Sequence, residues 1–514
     1  MKSGTTLRLI LGDQLNTQHS WFQQVRSEIL YTLMEVRQET DVVRPHIQKV
    51  AGFFNAMRHF AEDLARMGHR VVYLRLDDPT NEHAFDANLN RLIREHRIAR
   101  FEYMLPDDFR LDRQLARLAA HLSISSAVTD TEHFLTERGD VARHFQGKKR
   151  YLMESFYRQM RQRHDILMDG GKPAGGNWNY DQSNRRRYDG AVPLPEAFLF
   201  SNDVSDIVAM LDRCQVPTFG RIDPNRLIWP VNRRQALQQL QAFVDQRLSH
   251  FGTYQDAMTA ENGVLFHSLL SFALNTKMLH PMEVIRAAIA RSRSTSGEAV
   301  GIEQLEGFVR QILGWREYMR GIYWAHMPEY ASMNHFGHSA HLPDYYWTGD
   351  TRMNCLRSVI CQSLEHAYAH HIQRLMITGN FALLAGIHPD KVDQWYLGIY
   401  IDAVQWVEIV NTRGMSQYAD GGLVATKPYV SSASYIHKMS DYCEDCHYYW
   451  RKPAGERACP FNSLYWAFIH RHRQSLAGNP RVAMMVRTWD RMQSGKRDDL
   501  LAQAEHYRVE LNAL

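Results

Sequence analysis

Cysteine is scarce in this chain, long apolar runs are missing, and neither sign of charge prevails. Six cysteines in 514 residues are too few for a disulfide scaffold, though enough for one metal site. No stretch comes near the roughly 18 uncharged apolar residues of a membrane-crossing helix, so none is expected. The apolar run from Leu7 to Leu11 is broken by Arg8 and is too short for a signal-peptide core. A cytoplasmic protein is the expectation. Lysine and arginine total 60 against 56 acidic residues, a net charge of +4. That balance excludes a uniformly basic coat, so any nucleic-acid surface must be a local patch. Hydrophobic residues at 45% and charged residues at 23% are ordinary globular usage, which excludes global disorder. A chain of this length holds several domains of about 100–200 residues each. The 26 histidines are numerous, but composition does not say what they do.

Residues 5–135 alternate short apolar runs with amphipathic stretches. Leu7–Leu11, Ile29–Val36, Arg70–Leu76 and Phe101–Leu105 read as buried strands, with Ile124–Thr129 a fifth candidate. Phe53–Met67 and Phe85–Arg97 carry helical apolar spacing. Strand–helix alternation predicts a doubly wound parallel sheet over 1–135, with ligands at the carboxyl ends of its strands. Gly12-Asp13-Gln14 sits at one such end. Residues 136–230 read as a connector holding one helix, Tyr151 to Arg163, and two basic clusters, 148–150 and 185–187. From 231 to 514 the pattern is helical. Nine of the 11 tryptophans lie at or beyond Trp229, which predicts a separate all-α domain with an aromatic-rich interior.

Five of the six cysteines lie beyond residue 350. Cys443, Cys446 and Cys459 form C-x2-C-x12-C, followed by Pro460. Two thiolates three residues apart can face one metal centre, and a loop returns the third. On spacing alone Cys355, Cys361 or His447 could supply a fourth ligand. Zinc and an iron–sulfur cluster both suit thiolates, and the C-P ending points mildly to the cluster.

Four helical-region segments are specific: GWREYMRGIYW (314–324), HAYAHHIQRLMITGNFALLAG (366–386), GMSQYADGG (414–422) and TKPYVSSASYIHKMSDYCEDC (426–446). With ILGDQLN (10–16) and AMRHFAEDL (56–64) they resemble the bacterial iron–sulfur branch of the photolyase/cryptochrome family. The resemblance covers about residues 7–495; the cysteine set with Cys355 and the His370-His371 pair fits the iron–sulfur branch specifically, whose members include prokaryotic (6-4) photolyases and related photoreceptors. It implies an antenna-binding α/β domain, the 136–230 connector, and a helical FAD-binding domain. The activity it implies is light-dependent repair of (6-4) pyrimidine–pyrimidone photoproducts in DNA, by electron transfer from photoexcited reduced FAD. A blue-light receptor and a cyclobutane dimer photolyase share this architecture and are the rival readings.

The resemblance also implies roles. His267, Ser268, Leu269, Leu270 and Ser271 would meet the FAD phosphates at a helix start, with Tyr254 and Trp315 nearby. Arg374, Asp402 and Asn411 would surround the flavin ring, Arg374 neutralising the Asp402 carboxylate. His366, His370 and His371 would form the active-site histidines, His366 lying one helical turn before His370. His371 is the expected acid. Leu375 stands where eukaryotic (6-4) enzymes carry a second histidine, which argues against a two-histidine mechanism of that type. Trp395 would lie next to the flavin in an electron chain with Trp347 and Tyr396, and Tyr435 would link flavin and cluster. Cys355 would complete a [4Fe-4S] set with Cys443, Cys446 and Cys459.

Asp13, Gln14 and Glu39 would hold an antenna, 6,7-dimethyl-8-ribityllumazine. Damaged DNA is the expected partner of a monomer. Its phosphates would meet Lys148, Lys149, Arg150, Arg158, Arg161, Arg185, Arg186 and Arg187. Asp181 and the 170–187 loop are placed near the lesion, where a divalent cation such as Mg2+ could bind.

Overall fold

The computed structural model describes residues 4–148 and 150–514. The first 130 residues form a five-stranded sheet of order β3-β2-β1-β4-β5, with every neighbouring pair parallel. Its strands are β1 (Thr5–Leu9), β2 (Ile29–Met34), β3 (Arg70–Leu74), β4 (Ile98–Met104) and β5 (Ser125–Thr129). The doubly wound expectation holds, and all five strands are present. Central β2 is buried at every position, whereas edge strand β5 is mostly exposed, as its interrupting serines suggest.

Three helices pack on this sheet: α1 (Ile47–Arg66), α2 (Phe85–Glu95) and α3 (Phe109–His121). α1 begins six residues before the expected start, because the His46 side chain caps it by accepting from Gln48 N–H. α3 was not anticipated, although Leu111, Leu115 and Leu118 bury one face at helical spacing. One face of the sheet makes a local core with α2 and α3, built on Leu7, Leu9, Leu30, Leu89, Phe101 and Leu115. The other face joins a much larger core that runs without a break into the helical region as far as Leu514.

Beyond 230 the chain is helical, as expected. Among the described residues no helix is long and apolar enough to cross a membrane. Three segments widen into π-helical turns: Arg310–Arg316, Arg374–Gly379 and Val410–Ser416. Such turns leave the regular ladder and re-aim side chains, and they gather at functional sites. All three border the same cavity.

Candidate functional site

That cavity, of about 320 Å³, lies within the helical region. His267–Ser271 form one wall; Trp315 and Arg316 come from the first π turn, Arg374 and Leu375 from the second, and Asn411 from the third. Sequence segments almost 150 residues apart thus converge as expected. The helix that Ser271 opens is only Ser271–Asn275, so a long helix dipole is not available there. Ser268 Oγ accepts weakly from Leu270 N–H at 3.4 Å.

Arg374 and Asp402 form the charged floor. The guanidinium donates to both carboxylate oxygens, at 3.0 and 3.1 Å, and to the Ala369 carbonyl at 2.6 Å. It also lies 3.8 Å from the Tyr400 ring centroid. Burial alone would lower the Arg374 pKa, but Asp402 together with Tyr400 and Tyr368 outweighs it and raises the value. Asn411 Nδ2 donates to Val407 O at 2.7 Å, which leaves Oδ1 for a ligand.

His370 and His371 both border the cavity. The His370 ring stacks on His267 with centroids 4.4 Å apart. His371 is open to the cavity space yet ringed by protein. Burial, then the Arg374 charge, push its pKa down to about 4, so its imidazole is neutral at pH 7. His366 does not join them. Its helix, Asn354–His366, stops at Ala367, whose φ of +52° breaks the expected turn, and His366 faces a different cavity beside Gln362 and Tyr442. Tyr254 is also absent from the cavity wall. It stacks on Phe266 in a small satellite cluster.

Several buried atoms on the walls lack partners in the protein: His267 Nε2, His370 Nε2, and Arg316 Nε and Nη1. Such atoms are costly unless a ligand meets them. Arg316, Tyr400 and Glu408 also line the cavity and were not anticipated. Arg316 sits inside the WRE segment, where the signal was available.

The aromatic route differs in order from the expectation. Tyr396 and Tyr400 stand on the wall, and Trp395, fully buried, lies one layer behind. Neighbours on a helix point about 100° apart, so Trp395 and Tyr396 cannot both face the cavity. The Trp395 ring is 5.2 Å from Tyr396 and 5.0 Å from Tyr346, and its Nε1 donates to Tyr346 O at 2.9 Å. Trp347 follows in sequence and is 36% exposed at the surface. Tyr346 is the link that sequence reading missed. Tyr435 is half-buried in the field of Asp256 and Arg185.

The four expected cysteines lie within electrostatic reach of one another. Burial and then the other three thiols push Cys355 well up, and burial and then Cys446 raise Cys443 to about 12. Cys361 is exposed and lies outside this group. Among the described residues no group of three or more His, Cys, Asp or Glu side chains is drawn close enough to hold a metal ion.

A second cavity, of about 220 Å³, lies at the carboxyl ends of the strands and includes Asp13, Glu39, Val42 and Asp107. Glu39 takes Arg110 at 2.9 and 3.0 Å. Lys277 bridges Asp13 at 2.9 Å and Asp107 at 3.0 Å. Gln14 does not line this space. Its amide is spent on the backbone of Leu11, Met104 and Leu105. Ala403 belongs to the walls of both cavities.

Of the expected DNA-facing cations, Lys148, Arg150, Arg158, Arg185, Arg186 and Arg187 are exposed, and Lys149 lies outside the described residues. Arg161 is fully buried and serves the carbonyls of Ile166, Leu167 and Trp178, so it cannot reach DNA. The Asp181 carboxylate is shared by Arg310 and Arg185, which leaves no open acidic site for a cation.

Comparison with known proteins agrees with this geometry. The sequence model of the deoxyribodipyrimidine photo-lyase-related protein family matches residues 8–227. A (6-4) photolyase of Agrobacterium fabrum is 42% identical over 509 residues, covering 98% of this chain and 99% of the relative. Two solved structures share the fold at low identity. A bacterial class III photolyase from Agrobacterium tumefaciens has a TM-score of 0.61 at 16% identity, covering 99% of this chain and 98% of its own. A Synechocystis cryptochrome has a TM-score of 0.60 at 12% identity, covering 96% of this chain and 100% of its own. Near-complete coverage at 42% identity, on this shared fold, means that the chain belongs to the photolyase/cryptochrome family, among the relatives of bacterial (6-4) photolyase.

Proposed function

We propose that the chain is a (6-4) photolyase, a lyase that uses light to repair (6-4) pyrimidine–pyrimidone photoproducts in DNA. The observation that carries this reading is the first cavity, where the Arg374–Asp402 floor lies beside an unpaired, neutral His371. FAD, when bound, supplies the electron that light drives into the lesion and takes it back after the bond rearranges. The residues present fit such a group. His267, Ser268 and Ser271 offer ring and hydroxyl donors for a pyrophosphate, and Arg316, whose Nε and Nη1 make no hydrogen bond although Nη2 meets His133 and Leu274 O, offers charge. Asn411 Oδ1 and the Arg374–Asp402 pair would fix a polar ring. Tyr396, Trp395 and Tyr346 would bring an electron in from the surface near Trp347.

His371 would present a neutral ring N–H to the hydroxyl or amine that moves between the two bases. Its lowered pKa follows from burial and from Arg374, so no imidazolium is ready at rest. Repair should therefore show no titration near pH 6.5, since His371 changes charge only near pH 4.

The four cysteines suit a [4Fe-4S] cluster better than one zinc. A four-iron cluster takes one thiolate per iron, and Pro460 directly after Cys459 matches the C-P ending of ferredoxin runs, whereas zinc needs every sulfur about 2.3 Å from a single point. The second cavity would hold the antenna, with Asp13 and Glu39 as its polar edge.

The test is illumination of the reduced protein with a (6-4) lesion oligonucleotide. Restoration of normal thymines is expected, and none in His371→Ala that still binds flavin. Wild-type protein that binds flavin and leaves the lesion intact would sink the repair reading in favour of a photoreceptor.

A further inference from the structure

The turn that carries His371 has little to hold it in place. Helix Asn354–His366 ends at Ala367, residues 368–370 lie outside regular structure, and the next helix is only His371–Gln373 before the π turn from Arg374. So short a helix does not persist by itself, and the N–H groups at a helix start have no partner within it. One side chain meets this need. Gln373 Oε1 accepts from His370 N–H at 3.0 Å. Its amide also pairs with that of Gln362. Oε1 accepts from Gln362 Nε2 at 3.1 Å, and Nε2 donates to Gln362 Oε1 at 2.9 Å. The other Nε2 hydrogen goes to the Tyr442 hydroxyl at 3.1 Å. Gln373 is wholly buried and Tyr442 nearly so.

Tyr442 carries this contact outward. It directly precedes Cys443, and its carbonyl accepts from Asn354 Nδ2 at 2.9 Å. Asn354 directly precedes Cys355 and opens the helix on which Gln362 lies. The two cysteine-bearing segments are thus pinned to each other and, through one hydroxyl, to Gln373. A buried polar network with every bond made is rigid, and removing one member strands its partner. Stability alone does not require these bonds to converge on the N–H of His370, the residue before the expected acid.

We propose that Gln373 and Tyr442 are positioning residues for the His371 acid, and that the bond between them fixes the histidine turn to the segments carrying Cys355 and Cys443. Neither residue touches the lesion. The placement of the cysteine-bearing segments then reaches the acid without passing through the flavin. The proposal rests on the repair reading of the cavity, and it adds what holds the acid in register.

The test compares flavin-loaded wild type, Gln373→Met, Tyr442→Phe and the double variant. Light-driven flavin reduction and dark binding of a (6-4) lesion oligonucleotide should stay at wild-type levels. Repair per absorbed photon should fall about tenfold or more in Gln373→Met, because a misplacement of about 1 Å costs about 100-fold. Tyr442→Phe should show a smaller loss in the same direction. The double variant should be no worse than Gln373→Met, since both substitutions break the same bond. The His371 ring is followed by NMR of protein labelled with 13C-histidine, its signal assigned by its loss in His371→Ala. It should titrate near pH 4 in wild type and higher, toward 6.5, in both single variants as the ring gains water. Wild-type repair yields in the variants would overturn the proposal. So would a fall in repair with an unchanged His371 titration, or losses that add in the double variant. Should Gln373→Met fail to fold, Tyr442→Phe, which removes one oxygen, decides alone. A wild-type protein that leaves the lesion intact while the His371 titration moves as stated would refute the repair reading alone.

Discussion

His46 should make the junction of the α/β and helical regions sensitive to acid. It lies at the start of α1 with none of its surface exposed. Its Nε2 meets Leu364 O in the helical region at 2.8 Å, and its Nδ1 accepts from Gln48 N–H at 3.1 Å. Nε2 must therefore carry the proton, and Nδ1 has no room for a second. A Cβ on Gly220 would come within 2.0 Å of Nε2, so the ring cannot swing aside on that flank. Burial pushes the pKa down to about 4, against an ordinary value near 6.5. The unfolded chain then binds the extra proton first, so the contribution is intact above pH 6.5 and is lost as pH falls toward 4. Between pH 7 and pH 4.5 the loss is about 2.5 kcal/mol. Denaturant unfolding of wild type and His46→Asn at both pH values isolates this share. The variant keeps a capping acceptor and removes the titration. At pH 7 it should be weaker by about 1–2 kcal/mol for the bond to Leu364. Its further loss on acidification should be smaller than the wild type's by about 2.5 kcal/mol. Equal losses in both proteins would refute the reasoning.

Other expectations concern the sites. Asp402→Asn leaves the Arg374 charge without its counter-ion. Breaking a fully buried pair costs about 3–5 kcal/mol; this pair borders the cavity, so about 2 kcal/mol and a marked loss of bound flavin should follow, read by thermal melting and absorbance. Trp395→Phe should retain flavin while slowing its light-driven reduction, and the lost bond to Tyr346 O should cost about 1 kcal/mol. Cys443→Ala should lose iron by elemental analysis, and a variant with full iron content would remove Cys443 from the ligand set.

The sheet was readable because strand and helix periods differ, and α1 and α2 stand out by their apolar spacing. The convergence of 267–271, 374, 402 and 411 on one cavity was legible only through the resemblance, since no local pattern joins such distant segments. The histidine cluster misled where it assumed an unbroken helix. Alanine is a good helix former, so nothing in the sequence marks Ala367 as the left-handed residue that turns His366 away. Arg161 misled because an arginine between Arg158 and Arg163 looks exposed, whereas three backbone carbonyls draw it inside. The π turns are invisible in sequence, because a single widened turn shifts the helical period too little to read.

With an antenna in the second cavity, as proposed, the shared wall at Ala403 would have an optical consequence. Residues 402–408 turn Asp402, Val407 and Glu408 toward one cavity and Val404, Gln405 and Trp406 toward the other. Two chromophores held across so thin a partition would exchange excitation by dipole coupling, which falls with the sixth power of distance. Emission from one would then be quenched by the presence of the other. The side chain at 403 is small, so enlarging it would intrude on both chambers at once.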